Sequence, residues 1–140
     1  MPKGSTWRND IVRLYFLGTT AAAIADNAAS APATSLVIAL HTGDPGINNP
    51  QTTNEAAYVG YTRASVSRSG AGWTVTSNHV NPASSIVFGA CTAAPGTPIQ
   101  YWSVSRGSNL IDYVGTLVDP IVMSVGVVPR LTTASEITEE

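Results

Sequence analysis

The sequence predicts an all-β protein, a jelly-roll-like β-sandwich of about eight strands with an N-terminal helix. Three observations carry that prediction. Apolar residues at helical spacing occur only before residue 33. The apolar run 36–40, Leu-Val-Ile-Ala-Leu, then suits one buried strand and is too short for a globular helix. After it, alternating segments are separated by turn signals roughly every 8 to 12 residues. No internal repeat or linker marks a boundary, so 1–140 reads as one domain, with 1–33 an arm and helix and 34–140 the sandwich.

The helix comes first. Ser5 or Thr6 is placed to cap it, and Asn9 and Asp10 lie near its positive end. Trp7, Ile11, Leu14, Tyr15 and Gly18 recur at spacings of three and four, with Val12 and Phe16 on a neighbouring stripe. The expected use of this wide face is packing against the chain's own sheet. Trp7 and Ile11 above all, with Leu14 and Tyr15, are candidates for docking on a neighbouring subunit. Gly18 is a natural break, 21–25 favours helix again, and Pro32 ends the segment.

The strand at 36–40 stops at Gly43-Asp44-Pro45-Gly46, where proline and glycine chemistry turns the chain. The stretch 43–58 then reads as a long loop with little apolar content, expected to stand off the core and reach a partner. Asp44, Pro45, Asn48 and Asn49 are its partner-binding candidates. Tyr58 and Tyr61 flank it and are expected at the surface. Further strands are expected at 61–68, 73–76, 85–88, 98–105 and 110–117, with turns at 69–72, Asn81-Pro82 and 106–109. Asp119-Pro120 restarts the pattern. The alternation of Ile121, Met123, Val125 and Val127 predicts a half-buried strand, and 131–138 holds the last one.

Composition narrows the function. Charged residues make up 11% of the chain, well below the usual ~25%, which suits a surface covered by other proteins. The seven Lys and Arg are scattered and the net charge is −2, so nucleic-acid binding is not expected. No apolar run approaches the ~20 residues that span a bilayer, and the polar N-terminus lacks a signal-peptide core. No membrane partner is expected, and the protein reads as made in a cytoplasm. The single Cys91 cannot close an internal disulfide and reads as a small buried residue.

Chemistry-bearing residues are few. His41 ends the buried strand with Asp44 nearby in sequence, but two histidines and few acids show no metal-ligand spacing. A hydrogen bond at the strand end is the expected role of His41, and His79 reads as exposed. No Gly-x-Ser-x-Gly elbow, Walker or dinucleotide-binding pattern occurs. A glycosidase carboxylate pair would have to come from Asp44, Glu55, Asp112 and Asp119. Asp112 reads as a solvent-facing strand residue or as a partner for Arg63 or Arg106. Trp73, Tyr101, Trp102 and Tyr113 suit a sandwich core better than a sugar platform. No enzyme activity, cofactor or metal is expected.

The segment Leu36-Val-Ile-Ala-Leu-His-Thr-Gly-Asp-Pro-Gly46, followed by Asn54-Glu55 and Gly60-Tyr61-Thr62-Arg63, resembles a family of small tailed-bacteriophage structural proteins. Shorter later segments agree: Gly72-Trp73-Thr74-Val75, Ile86-Val87-Phe88, Gly107-Ser-Asn-Leu110 and Gly115-Thr-Leu117. Such proteins are often labelled tail-fibre proteins, and similar small jelly-roll proteins decorate phage heads as cement. The resemblance implies a virion structural protein. Its expected role is capsid cement on the outer surface of the head, clamping neighbouring copies of the major capsid protein, with a homodimer favoured over a trimer. The chain shows no shaft repeats or heptads, carries little charge, and offers two arms, the N-terminal segment and 43–58. The alternative is a tail-fibre or tail-tip module, or one binding a carbohydrate receptor.

Overall fold

The computed structural model describes residues 3–21, 31–107 and 109–140. It is an all-β sandwich with one short N-terminal helix. Helix α1 spans Ser5–Val12 and runs into a wider, π-helical stretch at Arg13–Leu17. Among the described residues nine strands follow: β1 Ser35–His41, β2 Ala64–Ser67, β3 Trp73–Thr76, β4 His79–Pro82, β5 Ile86–Val87, β6 Ile99–Ser105, β7 Tyr113–Ile121, β8 Arg130–Leu131 and β9 Ile137–Thr138. All pairings are antiparallel. The main sheet has the order β2-β1-β6-β7, beside a three-stranded sheet β3-β4-β9 and the pair β5-β8.

Strand β1 occupies the centre of the main sheet because it can be buried on both faces. Leu36, Ile38 and Leu40 point to one side, as strand alternation requires. There they join Trp102 and Val104 of β6 and the apolar cluster of Val12, Phe16, Trp73, Val80, Ile86, Phe88, Leu131 and Ile137. Each such side chain contributes roughly 1.5–3 kcal/mol by leaving water. Trp102 lies directly across from Gly115 of β7. A Cβ on Gly115 would sit 2.2 Å from the indole nitrogen, so glycine makes the room for that ring. On the odd face of β1, Ala39 and His41 are also fully buried, while Ser35 and Val37 are half-buried.

The helix packs differently from its expected face. Val12 and Phe16 are buried, while Trp7 is 41% exposed and Ile11 and Leu14 are half-buried. Phe16 meets Trp73 edge-on at 4.9 Å, and Tyr15 meets Tyr113 edge-on at 5.1 Å. The ring cluster, not the longer apolar periodicity, therefore decides which stripe turns inward. Neither Ser5 nor Thr6 caps the helix, whose N-cap is Gly4. Gly18 ends it in the left-handed region at φ 68°, so the expected break is real. Ala21 is buried and lies outside the helix; the expected helical return over 22–25 lies outside the described residues.

Several expected boundaries move. Asn81-Pro82 is not a turn but the end of β4, with Pro82 opposite Trp73; the turn falls earlier, where Ser77 takes φ 58°. A proline at a strand end forfeits only one ladder bond. Asp119-Pro120 does not restart the pattern, because β7 runs through it to Ile121. The alternating stretch after Ile121 is no strand. The Gly126 amide donates to the Cys91 carbonyl, the Cys91 amide donates to the Val127 carbonyl, and Gly126 turns at φ 93°. Its alternation leaves Met123 buried but Val122 and Val125 exposed. The last expected strand is two, β8 on β5 and β9 on β4.

Two backbone segments cross closely at Gly60 and Gly89. A Cβ on Gly60 (φ +102°) would lie 2.1 Å from the Ala90 carbonyl oxygen, and one on Gly89 would lie 1.9 Å from that of Gly60. Gly60→Ala is therefore expected to cost about 2–3 kcal/mol through backbone strain and overpacking. Urea denaturation at neutral pH measures it.

Candidate functional site

The odd face of β1 needs cover, and the 43–58 stretch supplies it. Beyond Ile38, where the β2 pairing ends, β1 takes a second partner on the same edge. His41 bridges Glu55, the Thr42 amide donates to the Asn54 carbonyl at 2.8 Å, and the Ala56 amide donates to Leu40 at 2.8 Å. Between the two partners, the Leu40 amide would lack an acceptor. The Tyr61 hydroxyl fills that place, accepting at 3.0 Å. The other end of the stretch pairs with 109–111, through Gln51 N–H to the Asn109 carbonyl at 2.8 Å and Ile111 N–H to the Asn49 carbonyl at 2.9 Å.

Polar side chains fill the space beneath. Arg63 grips Glu55 with two bonds, Nε to Oε1 at 2.6 Å and Nη2 to Oε2 at 2.8 Å. Its Nη1 also donates to Gln51 Oε1 and to Asn109 Oδ1. Tyr61 donates to Glu55 Oε1 at 3.0 Å. Gln51, fully buried, donates through Nε2 to the Val37 carbonyl at 3.0 Å and to Ser103 Oγ at 3.2 Å. His41 Nδ1 faces the Thr53 carbonyl at 2.9 Å, and its Nε2 faces Ser103 Oγ at 2.7 Å. A carbonyl only accepts, so Nδ1 carries the proton and Ser103 donates to Nε2. One continuous network thus joins β1, β6, the 43–58 stretch and Arg63, which lies just before β2.

The electrostatics follow. The Glu55 carboxylate beside Arg63 raises the guanidinium's pKa further, so Arg63 stays charged at any working pH. Burial pushes the Tyr61 hydroxyl up, keeping it a neutral donor. Burial also lowers His41, outweighing the Thr53 carbonyl that favours its charged form. A Ser–His contact of 2.7 Å has the spacing of a nucleophile and its base. Here both residues are 0% exposed, so as folded their atoms meet no substrate, and the contact works as structure. Among the described residues no cluster of three or more His, Cys, Asp or Glu is placed to hold a metal. No described helix is long and apolar enough to cross a membrane.

The structure redistributes the expected partner-binding residues. The 43–58 stretch is not a free arm. Pro45 is buried, Asp44 Oδ1 accepts the Gly46 amide, and Asn49 Nδ2 donates to the Pro45 carbonyl. Asp44, Asn48 and Asn49 do remain exposed. Tyr58 is 4% exposed, with its hydroxyl donating to the Gly89 carbonyl, and Tyr61 is half-buried; neither is the surface group expected. Tyr15 turns inward and donates to Asp112 at 2.7 Å, while Arg106 grips the same carboxylate. Arg68 donates to the Leu14, Tyr15 and Ala33 carbonyls, tying the helix end to β2. Of the helix candidates, Trp7 alone is classed as exposed. Trp73 and Trp102 are core residues, as expected. His79 lies half-buried in β4 and pairs with Glu136 at 2.9 Å.

Two surface features went unanticipated. Val118, Val122 and Val125 are exposed within eight residues of one another. Beside Val118 runs a groove of about 480 Å³, with Trp102, Leu117 and Ile121 in its lining and Asp119, Arg130 and Glu136 among its polar residues. Gln51 and Ser103 were also missed as parts of the buried network. A glutamine in a polar loop and a serine in a strand carry no distinguishing signal.

Residues 10–118 match a family model described as Podophage GP4 fiber I protein gp80. That range contains β1, the 43–58 stretch and the Glu55–Tyr61–Arg63 cluster. No curated protein matches the chain.

Removing one charge from the buried network should destabilise more than removing the pair's net contribution. Glu55→Gln is expected to cost about 2–3 kcal/mol, because Arg63 is left partly buried without its counter-ion, and urea unfolding measures it. The His41 prediction concerns pH. An unfolded imidazole titrates near about 6.5, and in the fold the value is lower. The unfolded state therefore takes up the proton first. The contribution is fully present above about pH 6.5 and is lost as pH falls through the folded value. Melting temperature should fall between neutral pH and pH 5 in the wild type. His41→Gln should flatten that part of the profile.

Proposed function

The chain belongs to the Podophage GP4 fiber I protein gp80 family, and from that premise we propose that it is a building block of a virion fibre, acting by binding neighbouring virion proteins without catalysis. A phage virion structural role follows from the family. The fibre placement is supported by the family's description, which covers 109 of the 140 residues (10–118). The geometry is compatible with it. His41, Gln51 and Ser103 are fully buried and the bonds of the network join the chain's own segments, which supports a function carried by surface contacts. Repeated copies make such contacts effective, because each additional engagement becomes intramolecular once the first is made.

Capsid cement is the second reading. One of its supports was a free 43–58 arm, and Gln51, Glu55 and Arg63 hold that stretch down. Three supports remain: the absence of shaft repeats and heptads, the low charge, and Trp7, exposed at the start of α1. In that reading Trp7 seats on the major capsid protein at the outer head surface. Binding the assembled lattice but not free subunits would then stabilise the head by mass action.

Electron microscopy of virions labelled with antibody against this chain separates the two. Label on the fibres, at a copy number set by their rotational symmetry, is expected. Label spread over the head would overturn the fibre placement in favour of cement. Purified virions that lack the chain would overturn both.

A further inference from the structure

We propose that the open edge of β2 takes an additional strand: an extended, uncharged segment of a neighbouring virion protein lies in the groove beside it and pairs with the main chain at Ser65.

β2 ends the main sheet, and its ladder fixes which main-chain groups are spent. The Arg68 amide donates to the Thr34 carbonyl at 2.9 Å, Val66 faces Leu36 and Ala64 faces Ile38. In an antiparallel pair bonded rungs alternate with unbonded ones. Val66 and Ala64 therefore bond to β1, while the amides and carbonyls of Ser65 and Ser67 point outward. A Cβ on Gly72 would lie 2.1 Å from the Ser67 carbonyl oxygen, so that end is crowded and Ser65 is the open rung. An edge of this kind invites pairing with another chain unless something blocks it. The opposite edge of the sheet is blocked: β7 is interrupted by a bulge at 117–120 that holds Asp119 and Pro120. β2 is regular and reads Ala-Ser-Val-Ser, with no charge, proline or bulge.

The groove beside β2 selects the occupant. It holds about 290 Å³ and is lined by Ala64 and Val66 as well as by Ser65 and Ser67. Successive strand residues face opposite ways, so a groove that touches all four runs along the edge and not across one face. Its far wall is 84–87. There the Phe88 amide donates to the Pro129 carbonyl and Ile86 faces Leu131, so the main chain of Val87 points away from β8. With that wall opposite the edge, the gap admits one extended chain and not the sheet edge of a second folded copy. Every lining residue is neutral. A charged side chain entering it would lose water without gaining a counter-ion, which makes the occupant an uncharged segment. Main-chain bonds at Ser65 supply the affinity and the neutral walls the selectivity, as in other added-strand complexes.

The proposal rests on the virion structural role and not on the fibre placement, which the antibody labelling tests separately. Phage carrying a photo-crosslinking benzoylphenylalanine in place of Ser85, on the far wall, test it, with crosslinked peptides identified by mass spectrometry. A crosslink to one uncharged segment of a different virion protein is expected. Ser65→Pro removes the outward amide without touching the β1 ladder and should lower that crosslink by about tenfold or more. Ser65→Ala keeps the main chain and should leave it unchanged. Ser65→Asp sets a charge in the neutral groove, should lower it likewise, and serves if thermal melts show that Ser65→Pro does not fold. A crosslink only to another copy of this chain, one to a charged segment, or none in virions that contain the chain would overturn the proposal. So would a crosslink that Ser65→Asp and Ser65→Pro leave intact, or one that Ser65→Ala also removes. Virions lacking the chain would overturn the structural role and this proposal with it.

Discussion

The two-point grip of Arg63 on Glu55 is the interaction on which the rest of this structure depends. A central strand with an apolar core on one face and a loop on the other is stable only if the loop's polar groups find partners. Glu55 accepts from Arg63 and Tyr61 at once. Tyr61 in turn closes the β1 edge at Leu40, and Arg63 passes on to Gln51, which reaches Ser103 and, through it, His41. The result extends β1's pairing past the end of β2. Buried networks of this kind are costly when incomplete and rigid when complete. Here every named member has a partner.

This explains the character of the segments that resemble phage structural proteins. Asn54-Glu55 and Gly60-Tyr61-Thr62-Arg63 hold the chain's own segments together. Glu55, Tyr61 and Arg63 build the layer, Gly60 lets two backbones cross, and Asn54 Nδ2 holds the Asp44 carbonyl. The family match extends over this scaffold. A virion structural protein needs a rigid unit more than an open cleft, and contact surfaces can be carried on the periphery of such a scaffold.

The fold class and the centrality of β1 were legible because an uninterrupted run of Leu, Val, Ile and Ala has few other uses. So was the core role of Trp73 and Trp102, and so was the pairing of Asp112 with Arg106, as one of three roles left open for that carboxylate. What was not legible has physical reasons. The 43–58 stretch has few apolar residues, and low apolar content suggests a free loop. It is held instead by hydrogen bonds from residues that look alike whether they bind water or protein. The alternation from Ile121 to Val127 satisfied the strand period, yet backbone bonds to Cys91 turned it into a loop. The helix face was misjudged because periodicity put Trp7 on the main stripe and Phe16 on its neighbour, while it is Phe16 that meets the ring of Trp73. Exposed Val118 gave no warning, since a valine in a strand normally signals burial.

The central claim is that 43–58 belongs to the cooperative core and is not an arm. Native-state amide hydrogen exchange tests it most directly, reading Thr42, Gln51 and Ala56 against amides within β1. Protection of all three close to that of Ile38 is the result expected, because their bonds to Asn54, Asn109 and Leu40 should open only when the sheet does. Exchange of Gln51 and Ala56 at rates near those of an unstructured peptide, with β1 still protected, would contradict it.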